Sequence, residues 1–343
     1  MKKYFYLCLF MLCILNMGCN DNEEENSSPA FKVISASTSL PAIGGTGEIE
    51  LSVVGDYVVT STEEWCTPAL SGNKVLLTIS ANEDITGRNA LIEISMGTES
   101  TVVPVTQLGA IFSTNFPAFY NFSTTGERKA YYLKSNLPYE IKYDSKWLSH
   151  KVEGDSVIFT SIPYEEGTLT EKVIPVTIKC GKTQQTYSFC QTIYKDFQGK
   201  YDISYIDKTN KTVSHTAQLL KYQPDKYVMI DGPMSGAQFV VDYDNGKLII
   251  AAGQYLGTST PLFVYNCVLA DNDNITWDKS SQCMAIPEEI RDGKVRLSFK
   301  DNGTFPGNKV IGLYFAGFST KEPSSGSYAG GLDRAIDIVM MKQ

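Results

Sequence analysis

The chain has 343 residues, with 30 Lys and Arg against 38 Asp and Glu, which gives a formal net charge of −8. Because nucleic-acid binding depends on Lys and Arg that displace counterions, this acidity argues against a nucleic-acid partner. The length allows two or three domains. The 20 tyrosines and 14 prolines, with little helical spacing, favour strands and turns.

The first 18 residues resemble the signal peptide of a bacterial lipoprotein. Two lysines precede an apolar run from Tyr4 to Leu15, and Gly18 is followed directly by Cys19. The run is too short to span a bilayer, which needs roughly 20 apolar residues. The resemblance implies that Cys19 is the lipid attachment site and the first residue of the mature chain. Ordinary cleavage, with release of a soluble protein, is the alternative.

Residues 19–30 are predicted to form an acidic tether. Asp21 and the glutamates at 23–25 resemble the acidic export signal of outer-surface lipoproteins of the Bacteroidetes. Like charges followed by Ser27-Ser28-Pro29 also favour a disordered segment. We therefore expect the protein at the cell surface, held on the outer membrane through the lipid of Cys19.

Five cysteines follow Cys19, and an odd number cannot pair completely within one chain in an oxidising compartment. The turn at Gly181-Lys182 places Cys190 opposite residues near Val173, not opposite Cys180. We expect at most one disulfide, with the other thiols buried. The five residues are Cys66, Cys180, Cys190, Cys267 and Cys283.

Two β units, over residues 31–109 and 110–195, are related by a sequence repeat. Each unit closes with a hairpin that ends in glutamine, at Gln107 and at Gln191. A repeat of this length indicates a domain duplication, because each copy is long enough to bury its own core. Five positions recur 82 residues later: Tyr57, Trp65, Gly72, Val75 and Thr78 correspond to Tyr139, Trp147, Gly154, Val157 and Thr160.

Alternating apolar residues predict the strands of both units. Pro104 and Pro175 interrupt late strands and are predicted to lie at sheet edges, because proline cannot donate to a ladder. The short strands and glycine turns indicate a pair of antiparallel sandwiches. The apolar positions predicted to share a face are Ile49, Leu51 and Val53 in the first unit, and Ile174, Val176 and Ile178 in the second.

Motif residues of the first unit are Gly44-Gly45, Trp65, Ala81-Asn82, Arg88 and Val105-Thr106-Gln107. They resemble the BACON domain, an immunoglobulin-like sandwich of Bacteroidetes surface proteins. The resemblance implies glycan or mucin binding, or a role as a spacer in polysaccharide-degrading systems.

The second unit is interpreted as a degenerate BACON copy. It keeps Trp147 and Gln191 but has Pro163-Tyr164 and Glu171-Lys172 near the Asn and Arg positions.

The two repeat tryptophans, Trp65 and Trp147, have two interpretations. A flat indole can cover the apolar face of a sugar ring. Their framework position in the repeat instead favours a place in the sandwich core.

Residues 196–343 form a third domain with a different pattern. Tyr201, Ile203 and Tyr205 alternate with polar residues, and the hairpin signal at residues 244–246 is Asp-Asn-Gly. Eight or so strands joined by short turns predict a closed antiparallel barrel. The Gly199-x-Tyr201 start resembles the Gly-x-Trp start of lipocalin-like barrels. The predicted fold class is therefore all-β: two tandem immunoglobulin-like β-sandwiches followed by an antiparallel, lipocalin-like β-barrel domain.

We expect any ligand site of this domain at the mouth of the barrel. Trp277, Tyr255 and Tyr328 lie in or near predicted loops with Asn, Asp and Gln, a composition typical of glycan sites. For each of the three, a place as a core cap or loop anchor is the alternative. The acidic turn at residues 271–274 lacks the glycine and glutamate of an EF-hand, so it is interpreted as a solvated turn.

Catalytic and metal-binding patterns are not found in the sequence. His150 and His215 are its two histidines and lie in different predicted domains. We therefore expect no metal, no cofactor and no catalytic residue. The leading prediction is a non-catalytic surface lipoprotein that engages a glycan or polysaccharide. The alternatives are a structural or adhesive spacer that binds a surface protein, and a glycan-active enzyme with a carboxylate pair in the C-terminal domain.

Overall fold

The computed structural model describes residues 30–290 and 293–343, so the signal, Cys19 and the acidic segment before Ala30 lie outside the described residues. Among the described residues, no helix has the length and apolar character that crossing a membrane would require. The chain divides into two compact units. Of the described residues, the first holds 30–38, Thr46–Ile79 and Asn89–Val105, and the second holds Ser39–Gly45, Ser80–Arg88 and those from Thr106 to Gln343.

The first β-sandwich consists of two four-stranded sheets. The sheet orders are β1-β3-β6-β5 and β2-β8-β7-β4, and the short β2 runs parallel to β8. Apolar side chains of alternate positions, such as Ile49, Val75 and Ile92, are fully buried. The strands are β1 Val33–Ser37, β2 Ser39–Leu40, β3 Gly45–Leu51, β4 Val58–Ser61, β5 Cys66–Ser71, β6 Lys74–Ile79, β7 Arg88–Met96 and β8 Glu99–Gln107.

The second sandwich repeats this topology strand for strand. Its sheet orders are β9-β11-β14-β13 and β10-β16-β15-β12, and the short β10 again runs parallel to β16. The duplication indicated by the repeat is therefore present in the fold. The strands are β9 Phe112–Thr114, β10 Phe119–Asn121, β11 Glu127–Ser135, β12 Tyr139–Lys142, β13 Leu148–Glu153, β14 Ser156–Ser161, β15 Val173–Cys180 and β16 Thr183–Cys190.

Glycine turns set the register of the hairpins. Gly72 and Gly154 lie at equivalent turns with φ of 64° and 59°, a left-handed conformation that favours glycine. Gly181, at φ 54°, closes the β15–β16 hairpin and sets Cys190 opposite Val173. The predicted register of this hairpin is therefore confirmed.

Two of the strand predictions need correction. Val53 does not share the buried face of Ile49 and Leu51, because β3 ends at Leu51 and Val53 is exposed. Strand order places β8 and β15, which carry Pro104 and Pro175, inside their sheets. Both prolines are tolerated because the neighbouring strand is short: β2 pairs only with residues 106–107, and β12 pairs only with residues 177–180.

The C-terminal region contains a closed barrel of eight antiparallel strands. Its order is β17-β18-β19-β20-β21-β25-β26-β28, and the pairing of β28 with β17 closes it. Tyr201, Ile203 and Tyr205 point into its core, as their alternation predicted. The Asn245-Gly246 turn has positive φ at both residues and joins β20 to β21. The barrel strands are β17 Gly199–Ile206, β18 Thr212–Gln223, β19 Lys226–Ile230, β20 Gln238–Asp244, β21 Lys247–Ala251, β25 Gln282–Glu289, β26 Val295–Lys300 and β28 Tyr328–Lys342.

Four further strands extend from the barrel through the long strand β28. The C-terminal part of β28 pairs with β17 and β26, whereas its N-terminal part pairs with β27. Asp337, at φ 53°, lies beside a register shift, at the point where the pairing of β28 with β27 ends and its pairing with β17 begins. We call β22, β23, β24 and β27 the extension: β22 Tyr255–Ser259, β23 Leu262–Ala270, β24 Ile275–Thr276 and β27 Val310–Phe318.

The second sandwich and the barrel share a hydrophobic core. Leu169, Val173 and Cys190 of the sandwich belong to the barrel's buried cluster. Leu169 lies in the 3₁₀ helix Leu169–Glu171, and a second 3₁₀ helix, Tyr194–Phe197, leads into the barrel. The two domains therefore pack as one body within the second compact unit.

All five cysteines of the described residues are buried and unpaired.

Candidate functional site

The three aromatic residues predicted for a ligand site lie on the extension. Tyr255 begins β22, Trp277 directly follows β24, and Tyr328 begins the part of β28 that pairs with β27. They therefore lie away from the closed part of the barrel. The sequence predicted them at the mouth of the barrel instead. The long strands β23 and β27, which branch off the barrel, position them.

These residues meet around one buried ring, that of Phe318. The ring centroid of Phe318 lies 5.2 Å from that of Trp277 and 5.9 Å from that of Tyr328. Tyr265 lies 5.7 Å from Phe318 and 5.4 Å from Tyr255, so it links the two. Residues distant in sequence thus form one aromatic face: Tyr255, Phe263, Tyr265, Trp277, Tyr314, Phe318 and Tyr328.

Strand register explains why these rings share a face. Tyr255, Tyr265, Ala316 and Gly331 form one cross-strand row, and Phe263, Phe318 and Tyr328 form the next. Neighbouring positions of this kind are within contact distance of large side chains. The small residues of the first row leave room for the rings on either side.

Two rings of the aromatic face are open to solvent. Tyr255 and Tyr328 are 45% and 40% exposed. The Tyr255 hydroxyl lies 2.6 Å from the hydroxyl of Thr258, and the Tyr328 hydroxyl lies 3.2 Å from that of Tyr314. Burial and the bond to Tyr328 raise the pKa of Tyr314 to about 12. The face therefore offers flat apolar rings with hydroxyls at their edges.

A second candidate site lies where the second sandwich meets the barrel. This junction groove has a volume of about 720 Å³, which lies in the range of small-molecule sites. One wall is residues 142–147, from the end of β12 to the start of β13. The other is formed by residues of the segment before β15 and of the first part of β15. Glu289, at the end of β25, adds a carboxylate from the barrel.

Trp147 forms the aromatic wall of the junction groove. Its indole N–H donates to the carbonyl of Glu171 at 3.0 Å, and its ring packs edge-on against Phe122 at 6.0 Å. The ring is half-buried at the border of the sandwich core. It therefore combines features of both interpretations, since it contacts the core and lines the groove. Trp65 is likewise half-buried.

The second wall of the groove is built where the second copy departs from the BACON pattern. Lys172 and Arg88 each lie 19 residues before the closing glutamine. Arg88 donates to the side chain of Gln107 at 2.8 Å. Lys172 instead lies 3.3 Å from the ring centroid of Tyr164 and donates to the carbonyl of Glu165. Burial lowers the pKa of Lys172.

The charges in the junction groove do not balance. The described lining includes Asp144, Glu165, Glu166, Glu171 and Glu289 against Lys142, Lys146 and Lys172, five carboxylates and three ammonium groups. Burial, together with the charge of Asp144, raises the pKa of Glu289.

The two histidines are held by hydrogen bonds at separate places. His150 Nδ1 lies 2.8 Å from the hydroxyl of Tyr143, and His215 Nε2 lies 2.9 Å from the carbonyl of Asp231. Among the described residues, no group of three or more His, Cys, Asp or Glu side chains has a metal-binding arrangement.

Sequence reasoning did not identify Asp144 and Glu289 as neighbours. One lies in the second sandwich and the other in the barrel, so no local spacing links them. The sequence did contain one indication that this region differs between the two copies. Tyr164 and Lys172 stand where the first copy has the Asn and Arg of the motif, and three glutamates lie nearby.

A family model matches part of the first sandwich. Residues 55–108 match a family model described as "BACON: Putative binding domain, N-terminal". No curated protein matches the chain.

Solved structures of tandem titin domains are similar at low identity. The I9–I11 tandem from titin is 9% identical, with a TM-score of 0.35, over 78% of this chain and 94% of that chain. The I67–I69 fragment is 7% identical, with a TM-score of 0.27, over 62% and 93%. A chimeric titin Z1Z2 is 12% identical, with a TM-score of 0.26, over 47% and 95%. Similarity at these identities and TM-scores gives no information about function. The match to the BACON family model covers residues 55–108, which lie in the first sandwich.

Proposed function

We propose that the protein is a surface lipoprotein that binds a glycan or polysaccharide without catalysing a reaction on it. The lipid on Cys19 anchors it to the outer membrane, the sandwiches act as the stalk, and the extension presents the binding surface. The BACON match, whose description names a binding domain, supports a binding role.

The aromatic face is the observation that carries this proposal. Sugar rings expose an apolar face of C–H groups and a rim of hydroxyls, and an aromatic ring with a polar edge matches both. Tyr255 and Tyr328 offer such rings to solvent, and packing on Tyr265 and Phe318 fixes their positions. Preorganised rings bind with little loss of side-chain entropy.

A glycan array tests the binding role. The soluble chain of residues 20–343 is expected to bind a subset of glycans, and the double variant Tyr255→Ala/Tyr328→Ala is expected to lose that binding. Tyr222→Ala is the matched control, because Tyr222 is 55% exposed and lies on β18 of the barrel. Absence of any signal above background for the unsubstituted chain would refute the proposal.

Substitution of Cys19 tests the anchor separately. Cys19→Ser is expected to abolish fatty-acid labelling and to move the protein out of the membrane fraction. Cys13→Ser is the control, because Cys13 lies within the predicted signal. An unchanged membrane fraction for Cys19→Ser would contradict lipidation at this residue.

A further inference from the structure

The junction groove is a second candidate site, separate from the aromatic face. Its size suits a ligand of one to a few sugar rings. The segments that form it converge from two domains that share a hydrophobic core. The groove is thus part of a packed body, and its walls are held in place without a ligand.

Trp147 restricts what the groove offers to a ligand. Its indole N–H is already used by the carbonyl of Glu171, so the remaining surface is the ring. An aromatic ring face attracts cations through its quadrupole, most strongly when the cation is partly desolvated.

Two of the three lysines of the groove are engaged. Lys142 pairs with Glu140 at 2.8 Å, and Lys172 is held by the ring of Tyr164 and the carbonyl of Glu165. The charge of Lys172 acts on Glu165, Glu166 and Glu171. Among the described residues, neither lysine forms an ion pair with Asp144 or Glu289. Lys146 remains as the counterion from the lining.

The carboxylates of the groove lack ion pairs. Within residues 30–290 and 293–343, no ion pair involves Asp144, Glu165, Glu166, Glu171 or Glu289. Asp144 and Glu289 repel each other, which raises the pKa of Glu289 beyond the effect of burial alone. A positive charge placed between them would be stabilised by both.

We propose that the junction groove binds an organic cation, namely a saturated, sugar-sized molecule that carries a primary ammonium group, such as an amino sugar. The ammonium group lies between Asp144 and Glu289, and the carbon skeleton packs on the ring of Trp147. Ser145 Oγ accepts from the backbone N–H groups of Trp147 and Leu148, so its hydroxyl can donate to an oxygen of the ligand. This site does not depend on the aromatic face, because it uses different residues on different strands.

A pair of ligands that differ in charge tests this inference. Isothermal titration calorimetry compares a glucosamine tetrasaccharide with an N-acetylglucosamine tetrasaccharide at about pH 6, below the pKa of such amines. Acetylation converts each ammonium group to a neutral amide. The amine form is expected to bind at least about tenfold more tightly, because hydrogen bonds to charged groups are the stronger ones. Its affinity is expected to fall between about 0.02 M and about 0.5 M NaCl.

Conservative variants locate the site. Asp144→Asn and Glu289→Gln keep the shape of the side chain and are each expected to weaken binding of the amine form about five- to tenfold. Glu153→Gln is the control, because Glu153 lies in the same sandwich and pairs with Lys151 outside the groove. Trp147→Phe keeps an aromatic ring next to Phe122 and is expected to weaken binding less than a carboxylate variant does.

Three results would overturn the inference: equal affinity for the acetylated tetrasaccharide, no measurable binding of the amine form, or unchanged binding in both carboxylate variants. Tyr255→Ala/Tyr328→Ala is expected to leave amine binding unchanged. Failure at the groove and failure at the aromatic face can therefore be told apart.

Discussion

Gln107 and Gln191 occupy corresponding positions in the two sandwiches, and each holds two loops of its own sandwich together. Gln107 Nε2 donates to the carbonyls of Ala42 and Ser80 at 3.2 and 2.9 Å. Gln191 Nε2 donates to the carbonyls of Ser123 and Ile162 at 2.9 and 2.6 Å. Both glutamines are 2% exposed. The glutamine that closes each repeat is therefore a structural bridge between loop carbonyls.

Removal of this bridge is expected to destabilise the second sandwich. Gln191→Ala leaves two carbonyls without their donor, and we expect a loss of about 1–3 kcal/mol in the free energy of unfolding. Gln184→Ala, at an exposed position on β16, is expected to change it by less than about 0.5 kcal/mol. Urea denaturation of both variants measures the difference, and equal stabilities would argue against the bridging role.

A methyl group at Gly331 is expected to disturb the aromatic face. A Cβ atom there would lie 1.8 Å from the hydroxyl oxygen of Tyr314, so the ring must move and its bond to Tyr328 is lost. We expect Gly331→Ala to cost about 1–3 kcal/mol and to reduce glycan binding. Gly326→Ala is the control, since a Cβ atom at Gly326 meets no atom within 4 Å. Equal glycan binding by the two variants would exclude a role for the arrangement of these rings.

Glu289→Gln is expected to stabilise the ligand-free protein near neutral pH. The folded protein holds the pKa of Glu289 above its usual value. The protonated form is thus favoured on folding, and the stability contributed by this group is lost as the pH rises from the usual carboxyl pKa through the raised one. Glutamine does not titrate. We expect a gain of less than about 1 kcal/mol at pH 7, because the side chain is partly solvated, and a smaller gain near pH 4.

Thermal unfolding at the two pH values checks this expectation. Glu288→Gln serves as a comparison, because Glu288 precedes it on β25 and pairs with Lys300 at 3.4 Å. A destabilised Glu289→Gln variant at pH 7 would contradict the expectation. The same variant is expected to bind the amine ligand more weakly, so stability and binding should change in opposite directions.

The five buried thiols are expected to react slowly in the native protein. Burial raises the pKa of Cys267 and of Cys283 to about 12, and the thiolate is the reactive form. A thiol reagent such as dithionitrobenzoate should modify few thiols in the soluble chain of residues 20–343, and five after unfolding in guanidinium. Fewer than five in the unfolded state would reveal a disulfide.

The repeat and its hairpins could be predicted because they are encoded locally. Gly72 and Gly154 fix equivalent turns, and the turn at Gly181 sets the partner of Cys190. The closed barrel followed from alternation and turn signals, such as Asn245-Gly246. The ends of strands could not be predicted in this way. Val53 continues the apolar alternation of β3, but β3 ends at Leu51, because strand pairing and not apolar character decides where a strand ends.

The sites depend on contacts that no local pattern contains. The extension arises because the C-terminal part of β28 pairs within the barrel, whereas its N-terminal part pairs with β27. The pairing with β27 brings Tyr328 next to Phe318. The junction groove needs Glu289 of β25 to approach the second sandwich. Aromatic and acidic residues could be identified in the sequence, but their neighbours could not.

Affinity electrophoresis tests the central claim most directly. The soluble chain of residues 20–343 would be run through native gels that contain one polysaccharide each, beside Tyr255→Ala/Tyr328→Ala and Tyr222→Ala. We predict that at least one polysaccharide retards the unsubstituted chain and Tyr222→Ala, and that the double variant migrates as in a gel without polysaccharide. Retardation of the double variant equal to that of the unsubstituted chain would contradict binding at the aromatic face.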